Sequence, residues 1–555
     1  MQLEFSVFRK IVDSPRVAVH GQVLTKSHIV DLMLDLAGYS GQRSIRLLDP
    51  GCGVGAFTVA AAVRLVRSDG IPKAFDDVAG CIQGIEKDKA TASICRERLA
   101  DTLKIEGVAS KLATRLANHW VTTGDFLEHE FGKFDLVIGN PPYVRQEAIP
   151  KAKLKHYRAK FDCFYDRADL YVAFFEKGLK LLDDGGRLAF ICPDRFAKNQ
   201  YGKKLRALIA EQFAVECVLD LAQASPFEQD VTSYPGIFIV KQGEQSKHVE
   251  YFRLTDATPK ECDYVRQKKT NGMVTYHRYD GWFSGEQQWS IESPDHLALL
   301  RRLEADCVAL GNPDSGCRVG IGVATGADQV FIVDKNCDEV ERQLLMPLVT
   351  TRDIVSGVVK WRGECVINPF QGDTTELIDL RKFPKARYYF ERFRTRLQGR
   401  NVAKRDQERW YRTIDRVYPG LQRLPKLLIP DIKADNLIVM EPGKLYPHHN
   451  LYYVASEEWD LRALRTILRS SVGRFFVWMY GVKMRGDFLR FQAQYLRRIC
   501  IPRHESMKKR TVNKLFSVDA STDQDEIDSV VAEVYRLNDA DMSLVRGVAA
   551  SRRQR

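Results

Sequence analysis

Twelve cysteines stand singly along the chain, and no two are spaced as C-x-x-C. That excludes the usual ligand spacing of a zinc site and suits reduced thiols in a cytosol better than a disulfide framework. H-E-x-x-H and G-x-x-x-x-G-K-[ST] are missing as well, which argues against a zincin and a P-loop motor. No apolar run approaches the ~18–20 residues that span a bilayer. The opening stretch, MQLEFSVFRK, lacks the charged-then-apolar layout of a secretory signal. A cytoplasmic protein with neither a membrane segment nor a metal site is therefore expected. Repeats and low-complexity tracts are absent too. Negative charge is in short supply: 84 Lys and Arg stand against 72 Asp and Glu, a net charge of +12.

That imbalance is local. Between Arg381 and Lys426 there are fifteen Lys/Arg against four Asp/Glu, a net of +11. A concentrated basic excess is the electrostatic footprint of a polyanion partner, although a solvated helix surface has the same composition. Aromatic residues interleave with the charges (Phe383, Tyr388, Tyr389, Phe390, Phe393, Trp410, Tyr411), and that tilts the reading toward nucleic acid.

With 555 residues the chain is long enough for two to four domains. Residues 40–245 alternate strand-like and helix-like stretches. SIRLLDP, CIQGIE, FDLVIGN, RLAFICP, AVECVLDL and GIFIVKQG read as strands. AFTVAAAVRLV, KATASICRERLADTL and ADLYVAFFEKGLKLL read as helices, the last closed by Asp183-Asp184-Gly185-Gly186. Such alternation predicts an α/β fold, a mostly parallel sheet with helices on both faces and ligands at the carboxyl ends of its strands. The rhythm breaks past about Lys247, so the expected division is residues 1–245 and a second, mixed domain over 246–555.

The unusual clusters fall at strand ends. LLDPGCGVGAF follows a strand and opens a helix, and Gly51, Gly53 and Gly55 allow a tight turn with close backbone approach to a ligand. Their G-x-G-x-G spacing differs from the G-x-G-x-x-G of dinucleotide binders. Asp49 ahead of them suits an ammonium group better than a phosphate. Glu86 ends the next strand, where a carboxylate accepts both ribose hydroxyls of a nucleoside. In GDF, Asp125 would accept from an adenine amino group while Phe126 packs on its ring. Each alone is an ordinary strand-end residue. Together they describe a nucleoside pocket with an amino-acid-like tail.

DLVIGNPPYV ends a fourth strand on Asn140-Pro141-Pro142-Tyr143. Proline has no backbone N–H, so this turn offers two acceptors, the Asn140 side-chain oxygen and the Pro141 carbonyl, without competing donors. Two adjacent acceptors suit an exocyclic –NH2. Binding both hydrogens favours a pyramidal nitrogen and localises a lone pair otherwise delocalised into the ring. Tyr143 then offers a face to the base; base–aromatic stacking is worth about 1–3 kcal/mol. A rigid Pro-Pro strand exit with a packing tyrosine is the bland alternative.

On these motifs the sequence resembles the gamma-class N6-adenine DNA methyltransferases of type II restriction–modification systems, the branch with a TaqI-like specificity domain. The similarity covers most of the chain. GQVLTKSHIVDLM looks like the family's first cofactor segment, which marks Thr25 as a cofactor contact; Lys26 stands where the family carries proline. SPFEQDVTSYPGIFIV places Phe227 where the family sets a second aromatic against the target base. VGIGVATGADQVFIV, LLMPLVTTRDI, PKLLIPDI, HHNLYYV and RFQAQYLRRICIP resemble the specificity domain in order. The resemblance implies a doubly wound, class I (Rossmann-like) methyltransferase sheet and a mixed α/β DNA-recognition domain. It implies S-adenosyl-L-methionine held by Thr25, Asp49, Gly51, Gly53, Gly55, Glu86, Asp125, Phe126 and Asn140. The target adenine would meet Asn140, Pro141, Pro142, Tyr143 and Phe227, with Tyr143 and Phe227 sandwiching the base. The implied partner is double-stranded DNA, and a separately encoded cognate restriction endonuclease is compatible with it. About 20 residues precede the first cofactor segment, so a methylase without its own nuclease domain is expected. The rival readings are an N4-cytosine enzyme, a methyltransferase of an RNA base or a glutamine amine, and a DNA-binding remnant without activity.

Overall fold

The computed structural model describes residues 23–229, 235–245, 247–289, 291–355, 357–431, 437–481, 491–503, 507, 509–518 and 522–550. They divide into two units, the first ending at Pro294 and the second starting at Asp295.

Nine strands share one sheet in the first unit: β1 (Leu47–Pro50), β2 (Ile82–Glu86), β3 (Val121–Thr123), β4 (Phe134–Gly139), β5 (Leu182–Pro193), β6 (Phe213–Asp220), β7 (Pro235–Gln242), β8 (His248–Leu254) and β9 (Val274–Asp280). Their order is β3-β2-β1-β4-β5-β7-β6-β8-β9. β3 through β5 run parallel. β7 is antiparallel to both of its neighbours, and β9 is antiparallel to β8. The crossovers carry helices α1 (Ser27–Leu36, ahead of β1), α2 (Ala56–Asp69), α3 (Lys89–Ile105), α4 (Ser110–Trp120), α5 (Lys151–Lys160) and α6 (Tyr171–Lys180). Successive strand residues face opposite ways. Leu136 and Ile138 of β4 pack into a core shared with α1 to α4. Val137 and Leu188 lie against Gly178 of α6, where any Cβ would come within 2.7 Å of the Leu188 side chain. The central strands are buried on both faces, which is why they read as continuous apolar runs.

Two expectations need correction. Asp183 to Gly186 belong to β5 rather than to a helix stop, since α6 already ends at Lys180. The register between β4 and β5 shifts there, and a Cβ on Gly186 would meet the Phe134 carbonyl at 2.9 Å. The first unit also continues past residue 245. β8 pairs with β6 and β9 with β8, and Phe252, Leu254, Cys262, Val265 and Val274 join the core of the α1 side. Trp289, fully buried against Phe196, closes the unit.

Two four-stranded sheets lie in the second unit. One joins Cys317–Ile321, Leu451–Ser456, Lys426–Pro430 and Val439–Glu441; the other joins Ile332–Asp334, Glu364–Ile367, Leu345–Val349 and Tyr446–Pro447. The basic segment forms helices Pro384–Arg392, Arg394–Gln398, Asn401–Arg405 and Pro419–Arg423. Most of its aromatics are core: Tyr389, Phe390 and Trp410 are buried, with Phe383, Phe393 and Tyr411 packed against them. Tyr388, 70% exposed, is the aromatic most open to solvent there. Among the described residues no helix is long and apolar enough to cross a membrane.

Candidate active site

The ends of β1, β2, β3 and β4 bring the sequence-marked residues together. After β1 the chain turns through Gly51, Gly53 and Gly55, all at positive φ (79°, 56° and 92°). The turn is pinned to β2 by Gly51 N–H and Cys52 N–H, which donate to the Ile85 carbonyl at 2.8 and 3.0 Å. Gly55 starts α2 in the left-handed region, and a Cβ there would press on Cys95 Sγ at 2.8 Å. A Cβ on Gly53 would meet nothing within 4 Å, so the middle of the turn borders open space.

Glu86 braces that turn from β2. Its Oε2 accepts from Gly53 N–H at 3.0 Å and its Oε1 from Asp88 N–H at 2.8 Å. Burial raises its carboxyl, and these amides oppose the rise. Asp49 is 1% exposed. Its Oδ2 accepts from Thr58 N–H at 3.1 Å and Thr58 Oγ1 at 2.7 Å, whereas its Oδ1 is buried with no partner. Burial lifts this carboxyl to about 7 against the pull of Thr58. A buried carboxyl oxygen without a donor fits a cationic ligand group, which would favour its ionised form.

Asn140 sits next door, because β1 and β4 are neighbours; a Cβ on Gly139 would come within 3.0 Å of Asp49 Oδ1. Its Nδ2 donates to the Val23 carbonyl at 2.9 Å and to Thr25 Oγ1 at 3.2 Å, while its Oδ1 is buried and unpartnered. No donor among the described residues reaches the Pro141 carbonyl. Pro142 borders the glycine turn, its Cδ 3.8 Å from where a Gly51 Cβ would stand. Tyr143 donates from its hydroxyl to the Ile191 carbonyl at 3.3 Å.

Phe227, 4% exposed, lies beside Tyr143 with ring centroids 6.2 Å apart and planes at 72°. The two rings meet edge to face. Phe227 is joined to Thr25 by an antiparallel backbone bridge. Asp125 is more heavily engaged than expected. Its Oδ2 accepts from Lys153 Nζ at 2.5 Å and Tyr157 hydroxyl at 2.7 Å and pairs with Lys87 at 3.1 Å; its Oδ1 accepts from Leu127 N–H. Burial would raise this carboxyl, but these donors outweigh it and hold it at about 2. The Phe126 ring is buried between Phe131 and Phe174 with the Lys177 ammonium over it, so its ring packs within the protein.

Sequence reasoning missed four contributors: the Val23 carbonyl, Thr58, Lys153 and Tyr157. A Lys-x-x-x-Tyr pair on one face of α5 was a visible signal for the last two. A threonine in the first turn after a glycine loop is too common to have marked Thr58. Elsewhere, Asp328, His448 and His449 gather in the second unit, with His448 Nε2 3.2 Å from Asp328 Oδ2 and 3.0 Å from His449 Nδ1.

The family model described as the Eco57I restriction-modification methylase matches residues 78–227, which run from just ahead of β2 to Phe227. The type II methyltransferase M.BstVI of Geobacillus stearothermophilus is 42% identical over 551 residues, covering 95% of this chain and 98% of that protein. M.PaeR7I of Pseudomonas aeruginosa is also 42% identical, over 95% of this chain and 93% of its own length. M.XhoI of Xanthomonas vasicola is 39% identical, over 95% and 99%. Among solved structures, the restriction-modification enzyme MmeI in complex with DNA shares the fold at a TM-score of 0.59 and 11% identity, over 95% of this chain and 75% of that one. With near-full-length identity of about 40% to three such enzymes, the chain belongs to the type II DNA methyltransferases of restriction–modification systems.

Proposed function

We propose that the protein transfers a methyl group from S-adenosylmethionine to N6 of an adenine rotated out of double-stranded DNA, as the site-specific modification enzyme of a restriction–modification system. One observation carries this reading: two buried, unpartnered acceptor oxygens, Asp49 Oδ1 and Asn140 Oδ1, stand at adjoining strand ends beside an open glycine turn. The first fits an ammonium group and the second an amine.

On this reading Asp49 takes the ammonium of the cofactor's amino-acid part. Glu86, with one amide on each oxygen, keeps lone pairs for two ribose hydroxyls. Asp125 keeps one lone pair on Oδ1, beside the one that Leu127 N–H takes, for an adenine amino group, since its Oδ2 is saturated. Gly51, Gly53 and Gly55 let the backbone approach, and Thr25 and Phe126 border the site. When bound, S-adenosylmethionine supplies a methyl group made electrophilic by its positively charged sulfur. Asn140 Oδ1 and the Pro141 carbonyl take the two hydrogens of the target amine and turn its lone pair toward the incoming carbon. Neither oxygen is a base, so both hold the amine and proton loss follows substitution. Positioning and preorganised dipoles supply the rate.

A stacked adenine is out of reach, and rotating it from the duplex costs a few kcal/mol. Tyr143 and Phe227, edge to face, present a corner to the extruded base. The first unit is the catalytic domain and the second reads the DNA sequence, with its exposed cations on the phosphates. A separately encoded restriction endonuclease is the matching partner.

The test is modification-detecting sequencing of DNA from a methylation-deficient bacterial host expressing the protein, beside an Asn140→Ala control. N6-methyladenine at one short motif, missing in the control, is the expected outcome. N4-methylcytosine would overturn the choice of base and keep the amine clamp. An unmodified genome from a soluble, cofactor-binding protein would overturn DNA as substrate.

A further inference from the structure

A carboxamide has nearly the same shape at both ends, so its neighbours decide whether it presents oxygen or –NH2. That choice is decisive for Asn140. Presented as oxygen it accepts an amine; flipped, it would set its own –NH2 against the substrate's. The Val23 carbonyl can only accept, and at 2.9 Å it draws Nδ2 toward itself. Thr25 Oγ1, at 3.2 Å, takes the other hydrogen. With both hydrogens used on one side, Oδ1 is the end left unpartnered. A flip would lose the bond to Val23 and press two oxygens together, whereas the Thr25 hydroxyl, able to donate as well as accept, would only reverse its bond. Donation from Nδ2 also polarises the amide and strengthens Oδ1 as an acceptor.

Thr25 is itself fixed. It bridges Phe227 in an antiparallel pairing, flanked by Lys26 N–H to the Pro226 carbonyl at 3.0 Å and Glu228 N–H to the Leu24 carbonyl at 2.9 Å. Lys26 Nζ adds a bond to the Ser225 carbonyl at 2.6 Å. Two of these bonds depend on Lys26. A proline there, as the resembled family carries, has neither the N–H nor the ammonium.

We infer that residues 23–26 form a strap that sets the sense of the Asn140 carboxamide through the Val23 carbonyl and holds it in place through Thr25, a positioning residue for the target amine, with Lys26 stapling the strap to the Phe227 loop. Thr25 then acts on the chemical step through Asn140, beyond any contact with cofactor. The inference rests on the amine-clamp reading above.

The test uses full-length protein, tritiated S-adenosylmethionine and genomic DNA from a methylation-deficient host. Single-turnover methylation is measured alongside cofactor affinity by calorimetry for Thr25→Val, Thr25→Ser, Lys26→Pro and Asn140→Ala. Thr25→Val is expected to slow the single turnover at saturating cofactor about tenfold, the scale of one lost hydrogen bond, over and above any loss of cofactor affinity. Thr25→Ser restores the rate because it keeps the oxygen. Lys26→Pro slows the step by a smaller factor. The inference is overturned if Thr25→Val turns over at the wild-type rate, if the valine and serine variants lose rate equally, or if the whole effect lies in cofactor affinity. Should the valine variant fail to fold, the serine and proline variants still decide it: a serine rate far below wild type, or a proline rate equal to it, overturns the strap. An active Asn140→Ala would instead overturn the amine clamp itself.

Discussion

Burial lifts the Asp49 carboxyl to about 7 in the ligand-free protein, with Thr58 the main opposing pull and Glu86 adding to the rise. The folded-state value lies above the ordinary carboxylate range. The proton is therefore held more tightly in the folded chain, and this group's contribution to stability is lost as pH climbs toward 7. An ammonium group beside Oδ1 reverses the preference, because it favours the ionised carboxylate. Binding S-adenosylmethionine below pH 7 should then expel one proton from Asp49. Affinity should rise with pH by up to about tenfold per unit and level off near 7. The ligand's own α-amino group titrates at about 7.7–8.0, so the clean window lies below that. Calorimetry at about pH 6 in two buffers of different ionisation enthalpy reads the proton release directly. Asp49→Asn should bind more weakly and lose the pH slope. A wild-type affinity that is flat across this window would take Asp49 out of the ammonium site.

In the second unit, strands Lys426–Pro430 and Val439–Glu441 are locked by an ion pair between Lys426 and Glu441 at 2.6 Å, both side chains fully buried. Glu441 also accepts from the N–H groups of Gly443, Lys444 and Leu445, and Lys426 donates to the Leu424 carbonyl. Glu441→Ala would strand a buried cation and three amides at once. It should lower the unfolding free energy by about 3–5 kcal/mol, the usual cost of breaking a buried pair, as read by urea titration. A loss below about 1 kcal/mol would mean that Lys426 escapes to solvent. Pairings of this kind mark the limit of what the sequence shows. The central strands were legible because both faces are buried and the runs are continuously apolar. β8 and β9 were not, since HVEYFRL and VTYHRYD mix charges with half-buried positions and declare themselves only through their pairing in the sheet. Gly185-Gly186 punctuates a helix end or a strand irregularity equally well until the Phe134 carbonyl is seen beside it. Asp49, Glu86 and Asn140 stood out as polar residues closing apolar strands. Their partners did not: Asn140 and Thr25 are 115 residues apart, and nothing local links them. In 381–426 the interleaved aromatics tilted the reading toward nucleic acid, where the structure spends most of the rings on the core.

At the scale of the molecule, the net charge of +12 counts for less than where it is spendable. Within 381–426, Arg381, Arg392, Arg394 and Arg423 are paired with Asp379, Glu339, Glu391 and Asp373, and Lys426 is buried. Arg400 is turned inward onto the carbonyls of Thr325, Trp410 and Arg412. Lys382, Arg387, Arg396, Lys404 and Arg405 are exposed and have no ion pair among the described residues. On the proposed function these five would be the phosphate contacts, because a cation already matched by an acid has less field to offer a second anion; Lys385, also exposed, already donates to the Asp338 carbonyl. Each phosphate contact releases condensed counterions, so the logarithm of DNA affinity falls with the logarithm of salt by about 0.9 per contact. Replacing the five together by Gln should therefore flatten that slope by about 0.9 for each residue that touches phosphate, and by no more than about 4.5 in all. Replacing Arg381, Arg392, Arg394 and Arg423 removes nearly as much formal charge but should change the slope far less. The comparison is made by fluorescence anisotropy on a random-sequence duplex across a salt series, using the full chain. Equal flattening by both sets would mean that overall charge, not these positions, draws in the DNA. An unchanged slope in the five-residue variant would return the segment to an ordinary solvated surface and send the search for the DNA-binding face elsewhere in the protein.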